Sequence, residues 1–471
     1  MNLWNLSLTF REVAIDFSLL SLFLVLGTVF RRYGSFFQKF LIPNNIIAGF
    51  LGLIVGPQII GLTNLRSDRL EVYIYHLLAL TFVAVGLRQE KTSWGKGPVS
   101  FSITMLSCYI IQAIIGLLVA FAFIYTIKPD LFPAIGLLVP LGFGMGPGVA
   151  STMGNNWENF GFIGGGDIGL TFAAIGYLIA IFAGLALIRR GIKNKETKLI
   201  NGLDSITNDV RTGVIKEGKP KVAGFLTLSQ EAIEPLAFQL GLIGIVYLIT
   251  FYVVLGLTTL MENAGLGGFV ATVWSFHFVV ALLVAISVRK LMDITKKSYL
   301  IDKGLMNRMA GVCVDYLVVG AICAISLPII WKLWLPISII SVLAGIGTYM
   351  VIRFTSTRAF DDYYFERFIS LFGEMTGTLN SGLVLLRVTD PGYRTSVVED
   401  LVYASGIALV LGFPLLILLN VPMNFFNNSL TGYWITLGLI IVYLIILWVF
   451  WRLIGFIKFK KPAEISKVER K

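Results

Sequence analysis

Apolar residues in this 471-residue chain fall in long, nearly unbroken runs instead of the three-and-four spacing of an amphipathic helix. A helix needs about 20 apolar residues to cross the hydrocarbon core of a bilayer. Runs of about that length are predicted to span at 13–30, 45–63, 70–88, 98–127, 165–189, 236–260, 266–288, 306–326, 330–353, 397–419 and 431–455. Two further apolar stretches, 131–154 and 368–388, are too interrupted to be ordinary spans. The first contains Phe143-Gly144-Met145-Gly146-Pro147-Gly148-Val149-Ala150-Ser151-Thr152-Met153-Gly154, and the second Phe372-Gly373-Glu374-Met375-Thr376-Gly377-Thr378-Leu379-Asn380-Ser381-Gly382. Gly and Pro at this density break a helix. Broken backbone at membrane depth survives where protein buries it or where it lines a watery cavity, so both stretches are read as re-entrant or discontinuous.

Composition turns this pattern into a class. Hydrophobic residues make up 56% and charged residues 14%, against about 25% charged in a soluble domain. The chain is therefore expected to be an all-α polytopic membrane protein, with the lipid bilayer as its first partner. The net charge of +11 is assigned to loops on the cytoplasmic side and not to nucleic-acid binding. Cys108, Cys313 and Cys323 lie inside apolar runs without metal spacing, and His76 and His277 are isolated from each other in sequence. The first apolar run lacks a basic leader and an Ala-x-Ala site, so it reads as a helix and not as a cleaved signal.

The basic residues set a direction. Arg31, Arg32, Lys39, Arg88, Lys91, Lys96, the cluster from Arg189 to Lys221, Arg289 to Arg308, Arg353, Arg358, Arg367 and Arg452 to Lys461 all fit one side. Placing them inside leaves Arg11, Arg66, Arg69, Lys128 and Lys332 outside. The N-terminus is then outside and the C-terminus inside, in the cell inner (plasma) membrane. Residues 1–189 give five spans starting outside and 235–420 five spans starting inside, two inverted repeats joined by a cytoplasmic linker at 190–234. Each repeat holds one re-entrant segment, at about 131–154 and about 368–388. Residues 421–471 add an additional C-terminal transmembrane helix and a basic tail.

Paired broken segments point to a transporter's binding site. A half-helix that starts inside a membrane exposes free N–H groups, which suit an anion, and its partner ends in carbonyls, which suit a small cation. Gly144, Met145, Gly146, Gly148 and Ser151 in the first loop, and Thr376, Thr378, Asn380 and Ser381 in the second, are the candidate substrate-binding residues. Arg387 either holds a substrate carboxylate or anchors the cytoplasmic interface. Intramembrane carboxylates are candidates for Na⁺ or H⁺ coupling. Asp167 either serves so or caps its own helix, Glu374 binds a cation or proton or pairs with a base, and Asp315 requires a partner or a watery path.

Several strings resemble the bacterial sodium:glutamate symporter family, loosely and over most of the chain. Leu41-Ile42-Pro43 before Ala48-Gly49, Ala84-Val85-Gly86-Leu87, Gly144-Met145-Gly146-Pro147-Gly148-Val149-Ala150, Asp167 through Ala173-Ala174-Ile175-Gly176, and Phe372-Gly373 with Thr376 and Thr378 are similar to its motifs in order. Met145 and Pro147 stand where the family has His and Thr, and Glu374 and Met375 where it has small neutral residues. The resemblance implies a homodimer in which part of each protomer carries the site through the membrane against a scaffold. It also implies Na⁺-coupled uptake of glutamate. A carrier of the same fold for another carboxylate or amino acid, with proton coupling open to it, is the alternative, with a channel behind it. The chain is not expected to be an enzyme: it contains no His-Glu-x-x-His, Gly-x-Ser-x-Gly or P-loop string.

Overall fold

Inside hydrocarbon a peptide group finds no water, so these apolar runs satisfy their backbone internally as helices. The computed structural model describes residues 10–88, 95–199, 211–213, 227–229, 231–390 and 394–457. In chain order the main helices are α1 (Phe10–Tyr33), α2 (Asn44–Val55), α3 (Ser67–Arg88) and α4 (Lys96–Thr126). Then come α5 (Pro133–Met145), α6 (Pro147–Glu158) and α7 (Gly165–Lys193). The later chain forms α8 (Pro235–Asn263), α9 (His277–Ile294), α10 (Lys303–Ala324) and α11 (Leu327–Ala359). It closes with α12 (Tyr364–Thr376), α13 (Leu379–Thr389), α14 (Val397–Leu419) and α15 (Leu430–Leu453). Sequence signals place several starts. Glu234 caps α8 ahead of Pro235, and the Ser429 hydroxyl accepts from the Gly432 amide at the head of α15.

Among the described residues, nine helices are long and apolar enough to cross a membrane. Two expected spans fall outside that set. The run 45–63 is helical only through α2, because Gly56-Pro57 stops it and the chain turns back, with the Leu62 amide donating to the Val55 carbonyl at 3.1 Å. The run 266–288 is interrupted: a short helix Val270–Ser275 gives way at Phe276 to α9, whose last turns carry Arg289, Lys290 and Asp293. The broken stretches occupy Pro133–Glu158 and Tyr364–Thr389, longer than the 131–154 and 368–388 read from composition at their far and near ends. The expected linker 190–234 begins within α7, which continues to Lys193. Most of that linker, and the basic tail from residue 458, lie outside the described residues.

The chain forms two compact units that do not follow its two halves. Unit 1 takes residues 1–29, 44–91 and 215–324; unit 2 takes 30–43, 92–214 and 325–471. Each half therefore gives its first part to unit 1 and its second to unit 2. In unit 1, α3 packs against α9 and α10 through small residues such as Ala79, Ala84, Ala281 and Ala310. Its one fully enclosed charge pair joins α1 and α3 among the described residues: Arg69 Nε and Nη2 each donate to the Asp16 carboxylate at 2.8 Å, with Asp16 0% exposed. Nη2 also reaches the Asn64 carbonyl at 2.6 Å.

Unit 2 has two ends that its contacts define. At the first, the Phe132 and Phe162 rings stack at 4.7 Å, Ile329 packs on Gly164, and Trp157 Nε1 donates to Asn420 Oδ1 at 2.8 Å. At the second, Lys96 pairs with Asp361 at 2.5 Å, Arg367 with Asp400 at 2.6 Å and Arg353 with Glu196 at 2.6 Å. Helices α4, α7, α11 and α14 run from end to end between these sets. The α5–α6 hairpin opens at the first end, where Phe132 and Phe162 close its base. The α12–α13 hairpin opens at the second, where Glu366 accepts from the Lys198 amide at 3.0 Å and Arg367 donates to Ser396 Oγ at 3.2 Å.

Removing one partner of a buried ion pair costs up to about 3–5 kcal/mol. Among the described residues, without Asp16 the Arg69 guanidinium would keep as an ion pair only its longer contact from Nη1 to the half-exposed Glu12 at 3.3 Å. Asp16→Asn is therefore expected to lower the thermal unfolding midpoint of the detergent-solubilised protein well beyond a control substitution at exposed Arg66, measured by light-scattering-corrected melting.

Candidate functional site

Both hairpins break at their tips, and the tips adjoin. Gly146, between α5 and α6, has φ +93° and ψ +170°, a conformation open essentially to glycine alone. Across from it, Gly377 (φ −135°, ψ −102°) and the extended Thr378 (φ −149°, ψ +173°) separate α12 from α13. A Cβ added at Gly146 would lie 3.6 Å from Thr378 Cγ2. The Thr376 carbonyl packs on Gly176 of α7, which marks the level of the tips along that helix. Hairpin α12–α13 is tight because Gly373 faces Gly382, where a Cβ on Gly373 would come within 2.9 Å of the Gly382 Cα.

Breaking a helix leaves amides at one new end and carbonyls at the other. The first backbone bond of α6 is Ala150 to Gly146, and that of α13 is Gly382 to Thr378, so the amides of Gly148, Val149, Leu379, Asn380 and Ser381 precede it. Neither N-terminus has a side-chain cap. Two helix starts carrying partial positive charge thus meet at one place, the arrangement that attracts an anion. The carbonyl ends are handled differently. Helix α4 passes behind both, and two of its residues, three positions apart on one face, cap them. Tyr109 Oη donates to the Gly144 carbonyl at 3.4 Å. Gln112 Nε2 donates to the Met375 carbonyl at 2.9 Å and to Thr348 Oγ1 at 2.8 Å.

Several expected site residues lie at these tips. Gly144 and Met145 are half-buried, Gly146 and Gly148 are buried, and Ser151, the fifth residue of α6, is 2% exposed. Thr376 is enclosed, and its hydroxyl donates back to the Phe372 carbonyl at 2.7 Å, so it offers only its oxygen to a ligand. Thr378 is half-buried, Asn380 exposed and Ser381 buried. Arg387 lies near the far end of α13, about 12 Å along the helix from Leu379 at 1.5 Å per residue. It therefore sits toward the basic end of the unit and not among the tip residues.

The three carboxylates expected to bind a cation do not form one set. Asp167 accepts from the Ser326 amide at 3.1 Å, about 14 Å by helix rise from Gly176, and so holds the start of α11. Asp315 belongs to unit 1, where Asn45 Nδ2 donates to it at 2.9 Å. Glu374 stands two residues before the end of α12 and is 5% exposed; Ser405 Oγ of α14 donates to its Oε1 at 2.9 Å. Among the described residues no group of three or more His, Cys, Asp or Glu side chains could hold a metal. What remains at the tips is oxygen. Glu374 Oε2 and Gln112 Oε1 are buried without a hydrogen-bond partner among the described residues.

Sequence reading missed Tyr109, Gln112, Thr348 and Ser405. A signal existed for Gln112, the one amide side chain in the apolar run 98–127. The two histidines, distant in sequence, share unit 1: His277 Nε2 lies 2.9 Å from the Tyr75 carbonyl and stacks on the Tyr75 ring at 3.6 Å, while His76 Nδ1 lies 2.6 Å from Tyr247 Oη. No protein-family model matches the chain, and no curated protein matches it.

A buried carbonyl stripped of its donor costs about 1–3 kcal/mol. Gln112→Leu should therefore raise amide hydrogen exchange in residues 372–378 while leaving 141–150 protected. Tyr109→Phe, which removes a long bond, should change little in either segment.

Proposed function

We propose that this chain is a secondary active transporter that performs Na⁺-coupled symport of glutamate or a related anionic amino acid by alternating access. One observation carries the reading: two hairpins open at opposite ends of one compact unit and meet at broken tips, with two uncapped helix N-termini converging there. That is the geometry expected of inverted repeats whose re-entrant segments form a site near the bilayer midplane. The order long helix, broken hairpin, long helix recurs as α4 to α7 and as α11 to α14. The resemblance of the glycine-rich strings to sodium:glutamate symporters points the same way.

In this reading the α6 and α13 amides hold the substrate's carboxylate, and the Thr378, Asn380 and Ser381 side chains complete its shell. Unit 2 carries the site in an elevator-like movement, and the protein acts as a homodimer. The donor set fits Na⁺, a hard cation that prefers oxygen: Gln112 Oε1 and Glu374 Oε2 are orphaned and buried. Na⁺ would supply charge that favours anion binding at the tips. The basic end of unit 2, with Lys96, Arg189, Arg353 and Arg367, faces the cytoplasm, which leaves the N-terminus outside and the C-terminus inside. Glu374 also favours a second reading. A buried carboxyl with one donor and no ion pair among the described residues suits a proton as well as Na⁺.

Reconstituted vesicles test the proposal. Glutamate should accumulate under an inward Na⁺ gradient and not under K⁺, with competing carboxylates ranking the cargo; accumulation driven equally without Na⁺ overturns Na⁺ coupling, and single-channel current steps overturn the carrier reading. Gly146→Val or a bulky residue at Gly148 should abolish uptake with membrane insertion intact, since the first puts a β-branched residue at a positive-φ break and the second puts bulk at the buried first turn of α6. Normal uptake by both variants removes the site from the tips. Glu374→Gln should alter the Na⁺ or pH dependence of uptake more than membrane abundance, and unchanged ion dependence would exclude Glu374 from coupling.

A further inference from the structure

A groove of about 720 Å³ runs along unit 2 between α4, α11 and α15. Ile111, Met350, Phe354, Leu444, Trp448 and Leu453 form its walls, and apart from Arg452 every residue lining it is apolar. Helices α11 and α15 run in the same direction beside it. Trp448 and Trp451 donate to Ser107 and Ser100 of α4 at 2.9 and 3.2 Å, so α15 ends where α4 begins, at the basic end of the unit where α11 also ends. Phe354 of α11 stacks on Trp448 of α15 with centroids 5.7 Å apart. One turn beyond that pair, each helix carries an arginine: Arg358 and Arg452. Parallel helices in this register bring both arginine positions to about the same level, at the basic end of an otherwise apolar trough. Arg452 lines the groove and reaches the Ile457 carbonyl at 3.3 Å, while Arg358 sits just beyond the lining, over the Phe354 ring at 3.8 Å with Nη1 donating to the Phe354 carbonyl and Thr357 Oγ1 at 3.2 Å.

We propose that this groove is a binding site for an anionic glycerophospholipid drawn from the surrounding bilayer, with one acyl chain along the trough and the phosphate between Arg358 and Arg452. Its dimensions match. The walls from Leu444 to Leu453 rise about 14 Å at 1.5 Å per residue, close to half of a hydrocarbon core about 30 Å thick. A trough one leaflet deep, apolar along its length and doubly cationic at its interfacial end has the polarity profile of a single lipid. Arginines flanking an aromatic pair at that depth favour an anionic headgroup over a zwitterionic one. A second copy of the chain docked there about a two-fold along the membrane normal would bring its own arginines to the same level as these, an unfavourable pairing of like charges. The site needs only the membrane-spanning reading of the chain and not its transport activity.

Native mass spectrometry of the full chain in mild detergent tests this, with phosphatidylglycerol, phosphatidylcholine and inorganic phosphate as probes. Two arginines at a headgroup should give roughly a 30-fold retention preference for phosphatidylglycerol over phosphatidylcholine. Inorganic phosphate alone should not be retained. Arg358→Gln with Arg452→Gln should bring phosphatidylglycerol down to the phosphatidylcholine level. Val449→Trp, which fills the trough while keeping both arginines, should reduce retention of both lipids, with an unchanged melting profile showing that the variant is folded. Equal retention of the two lipids by the parent protein, an undiminished preference in the double arginine variant, or a dimer that Val449→Trp dissociates without any lipid adduct would each overturn the assignment. Lipid retention is read without substrate, so its failure leaves the transport proposal standing, and loss of transport leaves the lipid result intact.

Discussion

A peptide group without a partner in hydrocarbon costs several kcal/mol, and the architecture follows from how this chain meets that constraint. Along most of its length it does so locally, with helices. At Gly146 and at Gly377–Thr378 it does not. There the backbone opens, and its groups must be satisfied by something outside their own segment. The carbonyl ends are answered by protein, through Tyr109 and Gln112 of one neighbouring helix. The amide ends carry no side-chain cap. The two halves of each break are therefore treated differently: the carbonyl half is closed by side chains of α4, and the amide half has no side-chain cap.

Charge is distributed with the same economy. The buried Arg69–Asp16 pair, the Asn45–Asp315 contact and the Asp167–Ser326 cap each give a buried or half-buried ionisable group a specific partner. Each is thereby compensated within its own unit. Glu374 has a partner in Ser405, yet its second oxygen is buried without one among the described residues, as is that of Glu366. The larger concentration of ion pairs sits at one end of unit 2, where Lys96, Arg353 and Arg367 meet Asp361, Glu196, Asp362 and Asp400. Those pairs tie the base of one hairpin to the helices around it and leave its tip to weaker forces.

Much of this was legible in the sequence because it rests on local chemistry. Apolar run length places the long helices, and Gly146, Pro147 and Gly377 announce the breaks. The rest depends on partners far apart in the chain. The run 45–63 looks continuous until Gly56-Pro57 is weighed against it, and a length count does not weigh it. Arg69 reads as a stray basic residue on the outer side, yet it is enclosed by an Asp 53 positions earlier. Asp167 and Glu374 look alike as intramembrane carboxylates, and only the fold separates a helix cap from a residue beside the tips. Gln112 was visible as an oddity in an apolar helix, but its role needs the Met375 carbonyl from the other half of the chain. The division into units that mix both halves has no local signature.

Helix α4 holds both hairpins by residues three positions apart, so the tips are pinned to a common rod. A hairpin that slides lengthwise must surrender its bond to that rod, whereas one that swings about the pinned point keeps it. Gln112 is thereby the latch that a solitary lengthwise excursion of the second hairpin would have to undo, whereas travel of hairpin and rod together would leave it closed.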